Sequence, residues 1–369
     1  MSDSSTQKLR AAIEAVHDPI FDRAISQLGT LDDFRLEGKD LHLKIRVSSP
    51  TSTTQSEFRT RLEAAVASID ESLAVHVEWA VVVPTRETTS TDPIPDVRNV
   101  ILVLSGKGGV GKSTVATNLA LALRRAGSRV GLLDADIYGP SIPTMMGISG
   151  HPGTTENKRI VPLQRFGIKL MSIGFLLEDP KQAVVWRGPM LHGALKQFVT
   201  DVEWGPLDYL ILDLPPGTGD VALSLANQCK LTGCLMVTTP QEVALQDVYK
   251  AVNMCGKLDI PMLGVVENMS YFVDPAGIKH ELFGSGGGAT VAEFAKAPLL
   301  GQIPIDPLVR QWGDDGTPVV QAAPESPSGE VFMDIADALG ARIALQHFER
   351  QGGEAAPKES GPKRLRIVT

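Results

Sequence analysis

Two kinds of apolar periodicity divide the chain. Within residues 7–82 the spacing is mixed. Leu9, Ile13 and Val16 recur at helical intervals and predict a first helix that stops before His17-Asp18-Pro19, where a proline disfavours helical geometry in the residue ahead of it. Residues 34–47 read as two strands around a Glu-Gly-Lys-Asp turn. Leu41, Leu43, Ile45 and Val47 alternate with polar neighbours, which turns one face inward. A helix over 57–69 carries Phe58, Leu62, Ala65 and Ile69 on one side, and 75–83 supplies a further strand. These elements make a small N-terminal α/β domain, residues 1–83.

Residues 84–97 interrupt the pattern with three prolines and a Thr/Ser cluster, a composition suited to a linker. From there on, short apolar runs at 100–104, 130–134, 168–173, 207–213, 235–239, 262–267 and 299–303 alternate with helical segments at 113–126, 190–199, 243–255 and 289–296. A last helix falls within 319–347. Short continuous runs are what strands buried on both faces look like, so the alternation implies an α/β fold with a mainly parallel sheet between helices. This second domain covers 98–348. Residues 349–369, rich in Gly, Pro, Glu and Lys, are expected to be a disordered tail.

The first apolar run empties into Gly106-Lys107-Gly108-Gly109-Val110-Gly111-Lys112-Ser113-Thr114, which fits G-x-x-x-x-G-K-[ST] at every fixed position. Strand, glycine loop and helix follow one another directly, the context a phosphate cradle needs. The loop amides and the helix N-terminus would wrap the phosphates of ATP. Lys112 would reach the β- and γ-phosphates, Ser113 would ligate Mg²⁺, and Thr114 would lie near the α-phosphate. Asp213 closes the apolar stretch Tyr-Leu-Ile-Leu-Asp and is the expected carboxylate for Mg²⁺. Asp134 and Asp136 end the strand that follows the P-loop helix, which puts both at the carboxyl edge of the sheet.

Bulk properties narrow the setting. Hydrophobic residues make up 43% and charged ones 21%, ordinary values for a globular chain. A net charge of −8 lacks the basic footprint of general nucleic-acid binding. No apolar run is long enough to span a bilayer, and the first residues lack the apolar core of a secretory signal. Three cysteines, an odd number, suggest no disulfide framework. The expectation is a cytoplasmic protein with neither membrane nor nucleic acid as partner. His192 and His280 are isolated, and no His/Cys spacing suggests zinc.

Lys107, a second lysine directly after the first glycine, resembles the deviant Walker A motif of MinD/ParA-class ATPases. That resemblance implies a homodimer in which this lysine contacts the partner's phosphates, a cation supplied in trans to the transition state. It also implies that Asp136 positions the attacking water while Asp134 supports the switch region. Lys107, Lys112 and Asp136 are thus the candidate catalytic residues. The stretches 133–143, 186–190, 207–220, 239–245 and 267–270, with Pro215-Pro216-Gly217-Thr218-Gly219-Asp220 and Glu267-Asn268-Met269-Ser270 among them, resemble the Mrp/ApbC family of iron–sulfur cluster carrier ATPases. Val16-His17-Asp18-Pro19 extends the likeness to the small domain. The resemblance implies a doubly wound P-loop NTPase that delivers clusters to apoproteins, with Asn268 helping to recognise adenine. One departure stands out. Many members carry Cys-x-x-Cys after Asn-Met-Ser, whereas this chain reads Asp274-Pro275-Ala276-Gly277. Clusters are ordinarily held by thiolates, so no cluster ligand is assigned. The alternative is a regulatory or scaffolding ATPase without a cluster of its own. Cys229, Cys234 and Cys255 are the remaining thiols.

Overall fold

In the computed structural model, which describes residues 3–49, 52–136, 139–176, 188–217 and 219–353, the described residues fall into two units. One gathers the described parts of 1–47, 54–80 and 344–369; the other gathers 48–53 and 81–343.

The first unit contains helices α1 (Asp3–Glu14) and α2 (Ile25–Leu28), strands β1 (Leu31–Glu37) and β2 (Asp40–Val47), helix α3 (Ser52–Ala67) and strand β3 (Ala74–Val81). Its three strands form one sheet in the order β1-β2-β3. Leu41, Leu43, Ile45 and Val47 are all buried, as their alternation requires, and they pack with Leu9, Ile13, Phe58 and Leu62. On α3 the buried stripe is Phe58, Leu62 and Val66. Ile69, expected on that face, lies beyond the helix end and is exposed, because the four-residue spacing ran on into a turn. The described residues 344–353 also belong to this unit, and Phe348 meets Phe21 with ring centroids 4.9 Å apart.

The second unit opens with β4 (Val100–Ser105), α4 (Lys112–Arg125), β5 (Val130–Asp134) and the short α5 (Ile142–Met145). A small hairpin, β6 (Gly153–Thr154) and β7 (Ile160–Val161), precedes β8 (Leu163–Arg165) and β9 (Ile168–Ser172). Then follow α6 (Gly188–Thr200), β10 (Tyr209–Asp213), α7 (Gly219–Ala226), β11 (Gly233–Thr238), α8 (Glu242–Lys257) and β12 (Met262–Glu267). A second hairpin, β13 (Phe272–Val273) and β14 (Lys279–His280), leads to α9 (Gly287–Ala295), β15 (Leu299–Gln302), α10 (Pro307–Asp314), α11 (Val319–Ala322) and α12 (Pro327–Arg350), of which residues up to 343 belong to this unit.

Eight strands form one sheet in the order β15-β12-β11-β4-β10-β5-β9-β8. Every pairing is parallel except that of the edge strand β8 with β9. β8 is three residues long with one apolar side chain, too little pattern to read in advance. From β4 the chain steps one way along the sheet to β5 and β9, then returns through β10 past β4 to β11, β12 and β15. Since parallel crossovers are right-handed, this reversal puts α4 on one face and α6 to α9 on the other. The sheet is therefore doubly wound. The reversal also opens a crevice at the carboxyl end of β4, where ligands of such sheets bind.

Residues 84–97, read as a linker, are fastened to the second unit. Arg86 is buried, paired with Asp92, and donates to the carbonyls of Ile94 (2.8 Å), Val97 (3.1 Å) and Lys230 (3.2 Å). Ile94 and Val97 are buried beside it. Helix α12 runs to Arg350, past the expected domain end at 348. The tail beyond 353, Ile137, Tyr138, Thr218, residues 186–187 of the Trp-Arg-Gly-Pro stretch and the His192 side chain lie outside the described residues.

Candidate functional site

The P-loop leaves β4 at Ser105 and enters α4 at Lys112, and its shape is set by where glycine is required. Gly109 and Gly111 have φ of +80° and +78°, the left-handed region that side chains disfavour. A Cβ on Gly106 would lie 2.4 Å from the Val248 amide nitrogen, and one on Gly111 would lie 2.2 Å from Asn268 Nδ2. Gly111 is also the N-cap of α4, with no side chain capping the first-turn amides. Those amides and the positive end of the helix dipole suit an anion. They border a cavity of about 580 Å³ lined by Lys107 to Gly109, Gly111 to Thr114, Asp136, residues from 139 to 145, Pro216, Gly313 and Asp314.

Lys112, Ser113 and Asp136 line this cavity, and Asp213, a hundred residues further on, is buried against the first two. Lys112 Nζ lies 2.5 Å from Asp213 Oδ1 and 3.7 Å from Asp136 Oδ2, and Ser113 Oγ donates to Asp213 Oδ2 at 2.6 Å. Asp213 is fully buried. Burial pushes its carboxyl above the usual range although Lys112 and Ser113 oppose the shift. In register across the sheet stands Asp134, also fully buried. Burial, reinforced by the Asp213 charge, pushes Asp134 up to about 8. Its oxygens accept from the amides of Asp136 (3.2 Å) and Ile142 (3.3 Å) and from Ser172 Oγ (3.0 Å), so Asp134 holds the loop that presents Asp136. Ser172 carried no signal in the sequence; its role depends on β9 lying beside β5.

Lys107 lines the cavity, and its carbonyl accepts from Ser105 Oγ at 3.0 Å. Asn268 takes a position behind the loop. Its Nδ2 donates to the Val110 carbonyl at 2.8 Å, and the residue is 7% exposed and absent from the cavity lining. Gly313 and Asp314, some two hundred positions after the loop, reach the cavity because Gly147 and Gly316 allow their backbones to touch. Nothing local in the sequence announces that approach.

The segment that replaces Cys-x-x-Cys is the turn of the β13–β14 hairpin. Asp274 Oδ1 accepts from the Ala276 and Ile278 amides, each at 2.9 Å, and Oδ2 is hydrogen-bonded to His280 Nε2 at 2.8 Å. The His280 bond and those amides hold the Asp274 carboxyl below the usual range. The three cysteines are buried in the core of the second unit, none more than 5% exposed. Among the described residues no group of three or more His, Cys, Asp or Glu is placed to hold a metal ion, and no helix is long and apolar enough to cross a membrane.

Residues 96–340 match the family described as NUBPL iron-transfer P-loop NTPase, and residues 6–79 match that described as iron-sulfur cluster assembly protein. An iron-sulfur cluster carrier protein of Deinococcus radiodurans is 43% identical over 92% of this chain and 95% of its own length. One of Escherichia coli is 39% identical over 91% of this chain and 89% of its own length. Among solved structures, a nucleotide-binding protein of Archaeoglobus fulgidus in complex with ADP covers 67% of this chain and 98% of its own length, with 38% identity and a TM-score of 0.57. The MinD protein of Pyrococcus horikoshii complexed with Mg-ADP shares the fold at 24% identity, with a TM-score of 0.51 over 65% of this chain and 94% of its own length. Glycine loop, buried aspartates and both matched regions agree, and the chain belongs to the iron-transfer P-loop NTPase family whose relatives are named iron–sulfur cluster carrier proteins.

Proposed function

We propose that this protein binds and hydrolyses Mg-ATP as a homodimer and uses the cycle to carry iron–sulfur clusters to apoproteins. The observation that supports it best is the meeting of Lys112, Ser113, Asp136 and Asp213 at the P-loop, in a chain whose two matched regions both bear iron-transfer or cluster-assembly descriptions.

The residues suit phosphoryl transfer to water. Gly106 to Thr114 cradle the phosphates through backbone amides. Lys112 is paired with Asp213 and Asp136 inside the protein, and on nucleotide binding it exchanges carboxylate for phosphate oxygen. Ser113 and Asp213 would hold Mg²⁺, which neutralises charge on the phosphates. Asp136, tethered through its amide to Asp134, orients the attacking water. Lys107 serves the partner's phosphates. Asn268 acts on the nucleotide through the loop it clamps. The cluster is cargo, and in this reading its ligands are not a Cys-x-x-Cys pair of the hairpin.

The test is anaerobic loading with iron and sulfide, followed by desalting, metal and sulfide analysis, and transfer to an apo-ferredoxin with and without Mg-ATP. Retained iron and sulfide with ATP-dependent transfer is expected. Protein that hydrolyses ATP yet retains and transfers no iron would overturn the carrier role and leave a scaffolding ATPase.

A further inference from the structure

Two buried thiols stand in contact where the nucleotide chemistry makes no use of them. Cys234, near the start of β11, and Cys255, in the last turn of α8, have their Sγ atoms 3.4 Å apart. They are 0% and 1% exposed. The Cys234 thiol donates toward the Cys255 sulfur, and its other neighbours are the Pro261 carbonyl at 3.6 Å and Met262 Sδ at 3.7 Å. Met262, paired in register with Cys234 on the next strand, is only partly buried. Cys229 is apart from the pair, its thiol directed at the Leu225 carbonyl at 3.9 Å.

A disulfide bond is about 2.04 Å long, so closure asks for an approach of roughly 1.4 Å, within reach of thiol rotation and a small shift of the helix end. We propose that Cys234 and Cys255 form a reversible intramolecular disulfide when the protein meets a hydroperoxide, a modification that ties α8 to β11. Cys255, as thiolate, attacks one oxygen of hydrogen peroxide. The O–O bond breaks, the departing hydroxide takes the proton that Cys255 gave up and leaves as water, and Cys255 becomes a sulfenic acid. Cys234 then attacks the Cys255 sulfur. The S–O bond breaks, the leaving oxygen takes the Cys234 proton and departs as a second water, and the S–S bond forms. Two thiols lose two electrons and one peroxide gains them.

The order of attack follows from the hydrogen bond. Accepting a hydrogen bond from the Cys234 thiol holds Cys255 below its ordinary value, while donating that bond, together with burial, holds Cys234 well above. The bond would lie at the amino-terminal edge of the strands, away from the P-loop. It is linked to that loop along α8, whose Val248 packs against Gly106, and through β11, which pairs with β4.

The experiment treats the reduced full-length chain with hydrogen peroxide over a time course, then denatures it, alkylates it and maps peptides by mass. Expected are a 2 Da loss, protection of two of the three thiols, and one linked peptide pair joining positions 234 and 255, all reversed by dithiothreitol. A Cys229→Ser variant should behave identically, and Cys255→Ser should yield no link while Cys234 stays alkylatable. Three thiols still alkylatable, sulfinic or sulfonic products without a link, or links through Cys229 or between chains would each overturn the proposal. The native chain's own peptide map decides it even where a variant fails to fold.

Discussion

At the scale of single residues, the two P-loop lysines are in opposite situations. Lys112 is 6% exposed and shared between two carboxylates, whereas Lys107 has no ion-pair partner among the described residues. Lys107→Ala should leave ATP affinity within about threefold while turnover falls by about 10³-fold, the scale of a cation supplied in trans. Binding isotherms beside phosphate-release rates read this, and unchanged turnover would remove the trans role. Lys112 gives no such separation, because its loss also removes the cation beside the buried Asp213. Asn268, expected at adenine, donates to the Val110 carbonyl of the loop. Asn268→Ala would leave the Val110 carbonyl unsatisfied, a cost of about 1–3 kcal/mol. ATP and GTP binding should weaken by the same factor, roughly 5- to 150-fold. A loss confined to ATP would point back to adenine.

At the scale of elements, the strands of the large sheet were legible because burial on both faces demands unbroken apolar runs; 130–134 and 262–267 begin and end where predicted. The segment 84–97 was not legible, since a buried Arg86 with Asp92 looks like any polar loop pair until its partners are seen. Burial alone would raise Asp92, but Arg86 and the Ile94 amide outweigh it and hold the carboxyl below its usual value. Asp92→Ala should destabilise the second unit by about 3–5 kcal/mol by leaving a buried guanidinium unpaired. With a depressed folded value, the stabilisation is complete above the unfolded value near 4 and is lost as pH falls through the folded one. The gap in urea midpoints between native protein and variant should thus hold from about pH 8 to 5 and close below about 4. A constant gap at every pH would mean that Asp92 acts by packing alone.

At the scale of the whole molecule, the proposed homodimer would share its active sites, which would make turnover a property of pairs. Specific activity should rise with protein concentration. Mixing Lys107→Ala with Asp136→Asn, each inactive alone, should restore about a quarter of native activity, since half of the dimers would be mixed and each would hold one intact composite site. No restoration would place both groups in cis. The sequence by itself determined the α/β class, the phosphate loop and the family, because these rest on local spacing: apolar runs, glycines where side chains cannot fit, a lysine and a serine at fixed offsets. Only the tertiary structure decided which distant groups meet. Parallel pairing puts Asp134 and Asp213 in register, β9 brings Ser172 to Asp134, and touching glycine backbones carry Gly313 and Asp314 to the cavity. Such meetings arise from strand order and close packing, which no window of neighbouring residues encodes.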